Sequence, residues 1–316
     1  MKLRILTMLS FLLMFSMSAM ANPYIYKMRP PNKMSGLEGF VAPGPVPKAL
    51  LSYYGGPVLS NASVYAVYWG PNVNPEVTAK IPDFYKSFIE SNYMDWLTEY
   101  NTVGVKSING HVSTNQVIGR GKYEGVIVLQ PINKSMSVTD TEIRAEIDAQ
   151  INAGKLPNPN ANTLFMLHMP PGMSITYDTL PGGGVSCQDY CAYHSDYHRP
   201  ADGSFVYYGV MPDYSQGMCA PPHCGSGTAF ENFTSATSHE LTESVTDPAG
   251  DDVKSGADWP MAWLDSSGGS QGEIGDICSY NSPNGKIFSS QDGTPYVVQG
   301  EWSNTRNQCY QGPNGG

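Results

Sequence analysis

The chain has 316 residues, with 18 basic and 28 acidic side chains for a formal net charge of −10, and six cysteines. Nucleic-acid phosphates repel such a surface, which excludes a nucleic-acid partner. Beyond the first 21 residues no apolar run reaches the ~18 residues of a membrane span. Charged residues make up only 15% of the chain, well under the ~25% of an ordinary soluble domain, so Ser, Thr, Asn and Gly carry the polarity, as is common in exported proteins.

Lys2 and Arg4 precede an apolar run from Ile5 to Met17, and Ala19-Met20-Ala21 forms an A-x-A cleavage site. This pattern predicts a secretory signal peptide over residues 1–21 and a secreted, extracellular or periplasmic, mature chain from Asn22 with 16 basic and 28 acidic residues. Residues 22–50 form a proline-rich arm without periodicity. Residues 51–316 are expected to be a single globular domain.

Tyr54-Gly55-Gly56-Pro57 signals a turn. Ala62 to Trp69 is apolar on both faces and predicts a buried central strand. Phe84, Phe88, Tyr93 or Met94, Trp96 and Leu97 recur near the helical period and predict a helix over Ile81 to Tyr100. Tyr123 to Gln130 contains Val126-Ile127-Val128-Leu129 and predicts a second core strand. Thr139 to Ala153 reads as a helix with Thr139 as cap, Glu142 completing a capping box, Ile143, Ile147 and Ile151 on one face, and Gly154 as stop. Thr163 to Met169 and Phe205 to Met211 are two further strands. The alternation implies an α/β (or α+β) fold, a mixed central sheet with flanking helices and a loop-rich, disulfide-bonded C-terminal part.

In an exported chain Cys187, Cys191, Cys219, Cys224, Cys278 and Cys309 imply three disulfides. The expected pair is Cys278 with Cys309, with the other four paired locally or across. A competing use of Cys187, Cys191, His194 and Cys224 is a zinc site, disfavoured because thiolates rarely stay unpaired after export.

The stretch Gly227 to Pro248 carries the chemistry. Thr228 and Glu231 form a capping box, and Asp247-Pro248 marks the helix end. Between them His239-Glu240-Leu241-Thr242-Glu243 is an H-E-x-x-E motif. At about 100° per residue, Asn232, Ala236, His239, Glu240 and Glu243 share one arc, and Phe230, Thr234, Leu241 and Val245 lie opposite. His239 and Glu243 can ligate one ion together, with Glu240 beside them as a general base. This is the logic of the H-E-x-x-H zinc proteases with glutamate in place of the second histidine. Downstream, Gly272-Glu273-Ile274-Gly275-Asp276 offers a third ligand. By analogy with gluzincins Glu273 would ligate and Asp276 would orient His239, or the two would exchange roles. Zinc is the expected cofactor and calcium the second choice, with manganese also suited to the harder donors. The plain alternative is a solvated face with a structural His239–Glu243 ion pair.

Asp247, Asp251, Asp252 and Asp258 offer calcium-type oxygens but read better as a solvated acidic loop. His194, His198 and His223 are candidates to line the same cleft and contact substrate. Ten of the 28 acids lie between Glu231 and Asp276, against a single lysine, Lys254. The acidity is therefore concentrated where a cation would bind.

The segments Tyr54-Gly55-Gly56-Pro57, Tyr68-Trp69-Gly70, Cys187/Cys191 followed by Tyr193-His194-Ser195, Cys219/Cys224 and Val245-Thr246-Asp247-Pro248 resemble the phosphate-induced, or EXORDIUM-like, family of secreted proteins. The resemblance implies a non-enzymatic extracellular binding or signalling role, as in the plant members. The plant pattern lacks the His-Glu pair that stands here as Ser238-His239-Glu240-Leu241, so the motif points instead to a secreted metal-dependent hydrolase. Its substrate would be a peptide or a cell-wall-associated molecule. The oligomeric state is not indicated.

Overall fold

Apolar alternation places the run after the Tyr54–Pro57 turn in the middle of a sheet, where both of its faces are covered. The computed structural model describes residues 48–179, 184–249, 261–267, 272–279 and 284–314. The predicted signal peptide, nearly all of the arm, and Asp251, Asp252 and Asp258 lie outside them. After the short strand β1 (Leu51–Tyr53) come β2 (Ser63–Tyr68), α1 (Pro75–Ile89), β3 (Lys122–Val128), β4 (Ser137–Thr139), α2 (Asp140–Asn152), β5 (Thr163–His168), β6 (Ser174–Thr176), β7 (Tyr193–His198), β8 (Phe205–Met211) and α3 (Ala229–Thr246). The C-terminal part adds β9 (Trp263–Asp265), β10 (Gly285–Phe288), β11 (Pro295–Val298), β12 (Glu301–Ser303) and β13 (Gln308–Tyr310).

The central sheet has the order β3-β2-β5-β8-β7, parallel except for β7, which pairs antiparallel with β8. Strand periodicity splits its side chains between two cores. Val64, Ala66, Leu164, Met166 and Met211 pack with α1 and α3, whereas Val67, Phe165, Leu167, Val206 and Val210 pack with Ile143, Ile147 and Ile151 of α2. The protein is thus a mixed α/β fold with helices on both faces of the sheet. The capping box of α2 forms as its sequence dictates, with Thr139 accepting from the Glu142 amide and Glu142 from the Thr139 amide.

Two expectations are corrected. The helix expected over Ile81–Tyr100 is two pieces, α1 and a 3-10 segment at Met94–Tyr100. It begins earlier because Asn74 caps the Glu76 amide at 2.9 Å and Pro75 suits the first turn. It breaks because the Ser91 hydroxyl donates to the Phe88 carbonyl and accepts from the Tyr93 amide, replacing helical backbone bonds. Pro82 inside α1 cannot donate to the Thr78 carbonyl, and the Tyr68 hydroxyl supplies that hydrogen bond at 3.3 Å. The strand expected in the core at Tyr123–Gln130 is instead an edge strand, with Val126 and Val128 exposed. Its short aliphatic run has the same periodicity as a buried strand, and only the pairing tells them apart.

The three disulfides are Cys187–Cys219, Cys191–Cys224 and Cys278–Cys309. The last is the expected pair, the other two cross, and no thiol remains for the alternative cysteine zinc site. Among the described residues no helix is long and apolar enough to cross a membrane.

The Tyr68–Thr78 bond is open to direct measurement. Tyr68→Phe is expected to lower stability by about 1 kcal/mol in urea unfolding. Pro82→Ala, which restores a backbone donor at that turn, should shrink the effect in a double-mutant cycle.

Candidate metal centre

Helix α3 positions the site, and it is buried almost all round: every side chain from Asn232 to Thr246 is inside the protein. The expected greasy and polar faces are therefore corrected, because both faces are covered. One packs on β7 and β8, and the other receives β11 and the C-terminal turn. A helix this rich in Ser and Thr can be buried because its hydroxyls bond its own carbonyls: Thr237 donates to Phe233, Ser238 to Ser235, Ser244 to Glu240 and Thr246 to Thr242. Thr228 and Glu231 cap its start, and Asp247 ends it.

Three elements converge on the His239–Glu243 face. Strand β7 alternates, so Tyr193 and Tyr197 enter the core against α2 while His194 points to α3. The turn from Glu273 to Cys278 is held by buried Ile274 and Ile277 and by the Trp302 amide donating to the Ile274 carbonyl. The segment before β12 brings Gln299, and β12 begins with Glu301. Within this group His239 Nε2 lies 3.1 Å from Glu243 Oε2, 3.9 Å from Asp276 Oδ1 and 4.0 Å from Glu240 Oε1. His194 Nδ1 lies 3.2 Å from Glu240 Oε2 and 3.6 Å from Glu243 Oε2, and its Nε2 lies 3.5 Å from Glu273 Oε1. His194 Nε2 also lies 3.2 Å from the Asp247 carbonyl, which can only accept, so that hydrogen bond takes the ring proton at Nε2.

Among the described residues two groups could hold a metal ion: His194 with Glu243 and Glu273, and His239 with Glu243 and Asp276, the ligand atoms of each lying within 4.8 Å of one another. Sequence reasoning placed Glu273 with His239 and made Asp276 the orienting acid, or the reverse. The structure sets Asp276 beside His239, the second of these arrangements, and Glu273 beside His194. The orienting partner of His239 is Gln299, whose amide nitrogen donates to the Gly275 carbonyl at 2.8 Å and meets His239 Nδ1 at 2.9 Å. Glu243 Oε1 accepts from the Gly275 and Asp276 amides, both at 3.1 Å, which leaves Oε2 free. His239 Nε2, Glu240 Oε1, Glu243 Oε2 and both Glu301 oxygens are buried without a hydrogen-bond partner among the described residues. His239, Glu240 and Glu243 are fully buried, whereas the His194 and Asp276 side chains keep 7% and 11% exposure, so the group reaches the surface on their side.

His198 and His223 stand elsewhere. His198 is at the exposed far end of β7, its ring tilted against Phe205, and His223 lies in the loop between Cys219 and Cys224. Asp247, read from sequence as part of a solvated loop, is buried at the end of α3 and accepts from the Ala262 amide at 2.7 Å. Gln299 and Glu301 carry no motif, and no sequence signal singles them out.

The electrostatics follow from burying acids together. Burial pushes Glu240, Glu273, Asp276 and Glu301 up, Glu273, Asp276 and Glu301 well above the usual carboxylate range. Burial raises Asp247 to about 7. Burial also opposes ionisation of Glu243, but His239 beside it holds it below its ordinary value. Burial lowers His194, yet Glu240 and Glu243 outweigh it and lift the ring to about 9.

Comparisons of the chain with family models, with curated proteins and with solved structures find no match.

Two outcomes follow. A Cβ at Gly275 would sit 2.5 Å from His239 Nδ1 and 2.8 Å from Glu243 Oε1, so Gly275→Ala should weaken metal affinity at least tenfold while the cystines still form. Titration calorimetry would check this. In metal-free protein, His194 is raised from 6.5 to about 9 and Asp247 from 3.8 to about 7. Both favour the protonated folded state, so their contribution is present at low pH. It is lost as pH rises through about 7 for Asp247 and about 9 for His194. The urea midpoint in chelator should therefore fall from pH 5 to pH 9.

Proposed function

We propose that this chain is a secreted, metal-dependent hydrolase of zincin-like type, acting on a peptide bond. The observation that carries the reading is a set of buried atoms facing one another at the H-E-x-x-E motif with no hydrogen-bond partner among the described residues: His239 Nε2, Glu240 Oε1 and Glu243 Oε2, the first and last in ion-pair contact at 3.1 Å. Polar atoms left this way cost free energy unless something meets them, and imidazole nitrogen with carboxylate oxygen is a donor set for a divalent cation. Zinc suits the imidazoles best. Calcium, which takes 6–8 oxygen ligands, fits less well. The three cystines and the apolar start of the chain support export.

His239, Glu243 and Asp276 would hold the ion, with Glu273 and His194 adjoining. When bound, a divalent ion supplies Lewis acidity for polarising a carbonyl and acidifying a water. Glu240 accepts the proton of the attacking water and returns it to the leaving amine. Its raised pKa suits both halves of that exchange. His194 stands beside that carboxylate, with Nδ1 3.2 Å from Glu240 Oε2. Gln299 sets the tautomer of His239. As placed, its amide donates toward Nδ1 and leaves the ring proton at Nε2. Ligation through Nε2 needs the proton at Nδ1 and the Gln299 amide turned over, so that its oxygen accepts from the ring and its hydrogen bond to the Gly275 carbonyl is given up.

The burial of His239, Glu240 and Glu243 favours a second reading, a structural ion in a non-enzymatic extracellular protein of the kind the EXORDIUM-like resemblance suggests. Metal analysis and one substitution separate the two. Glu240→Ala should keep the ion and lower peptide hydrolysis by about 10²–10⁴-fold. Stoichiometric metal with no hydrolysis in the unsubstituted protein would favour the structural ion, and absence of metal after refolding with zinc would end the hydrolase reading.

A further inference from the structure

Among the described residues the ligand atoms at this site form two sets of three. His194 with Glu273 and His239 with Asp276 each pair one imidazole with one carboxylate of its own, and both sets close on Glu243. The two imidazoles come from different elements, β7 and α3, and both stand near the same oxygen of Glu243. Its Oε1 is fixed by two backbone amides, and its free Oε2 stands 3.1 Å from His239 Nε2 and 3.6 Å from His194 Nδ1. A buried carboxylate oxygen between two imidazoles, with no hydrogen-bond partner among the described residues, occupies the place of a bridging ligand.

We infer that the chain binds two divalent cations side by side, one at His194, Glu243 and Glu273 and the other at His239, Glu243 and Asp276, with Glu243 shared between them. This deepens the metal-dependent reading and rests on it.

Charge supports a second ion. Glu240, Glu243, Asp247, Glu273, Asp276 and Glu301 are all buried or nearly so, around two imidazoles and with no Lys or Arg in ion-pair contact among the described residues. With all six acids ionised and both imidazoles neutral, the state that ligation requires, one divalent ion leaves a formal excess of four negative charges and a second leaves two. Buried charge is tolerated when it is paired or coordinates metal. Glu240 spans the same gap from the other side, with Oε2 3.2 Å from His194 Nδ1 and Oε1 4.0 Å from His239 Nε2. It therefore faces the space between the two ions, where a water shared by a two-ion centre would sit. The expected ligands are zinc or manganese, because each set offers one nitrogen and two carboxylates.

The test is metal stoichiometry on the full, disulfide-bonded chain, by equilibrium dialysis against zinc and elemental analysis. Two ions per chain are expected. His194→Ala and Glu273→Gln should each reduce the ratio to one, as should His239→Ala and Asp276→Asn. Glu243→Gln should lower it below one. With Mn²⁺ loaded instead, the electron spin resonance spectrum should show exchange coupling between neighbouring ions, and the coupling should vanish in His194→Ala. Near-UV circular dichroism identifies variants that lose the fold, and for these the unsubstituted stoichiometry and the coupling still decide. A ratio of one, lost in both histidine variants, would mean a single shared ion and overturn the two-ion centre while leaving the metal-dependent reading intact. A ratio of zero would overturn both.

Discussion

Carboxylates and imidazoles meet inside this protein around one helix, where water does not compensate their charge. Glu240 and Glu243 cannot leave that interior, because α3 is covered on every side. The surrounding structure answers the constraint piece by piece. The backbone amides of Gly275 and Asp276 hold one oxygen of Glu243, His239 sits against the other, and His194 reaches across from the sheet to Glu240. Gly275 has no side chain because none would fit between His239 and Glu243. The layers of the fold follow from the same need. The sheet offers one face to α2 and keeps the other for the helix that carries the acids, while the C-terminal strands close over the far side of that helix.

Much of this was legible in the residues. Thr139, Glu142 and Gly154 bound α2, and Thr228, Glu231 and Asp247-Pro248 bound α3, because capping is local chemistry. The grouping of His239, Glu240 and Glu243 is a matter of helical spacing. Strand β7 escaped notice because Tyr-His-Ser-Asp-Tyr-His contains no aliphatic residue, and its place in the sheet comes from pairing with β8 rather than from its own pattern. With β7 went the role of His194. The polar face of α3 was legible, but its burial was not, since what covers it arrives from strands more than fifty residues later. Gln299 and Glu301 belong to that cover.

The exchange between Glu273 and Asp276 has a physical origin. Spacing of three residues fits one side of a helical turn, and on that basis both acids would approach His239. The chain instead bends at Glu273, and only Asp276 enters the short 3-10 turn that Gly275 leads into. The two carboxylates then face different imidazoles, which turns one anticipated ligand set into two overlapping ones.

Each cystine secures one element that feeds the site. Cys187–Cys219 and Cys191–Cys224 both join the approach to β7 with the approach to α3, and they interlock in sequence, so that opening either one leaves the loop closed by the other. Cys278–Cys309 is the one covalent link at the Asp276 turn. The three staples are therefore unequal in redundancy: the approach to the histidines carries two covalent links, whereas the side that brings Glu273 and Asp276 carries one and shares its load with the hydrogen bonds to Trp302 and Glu243.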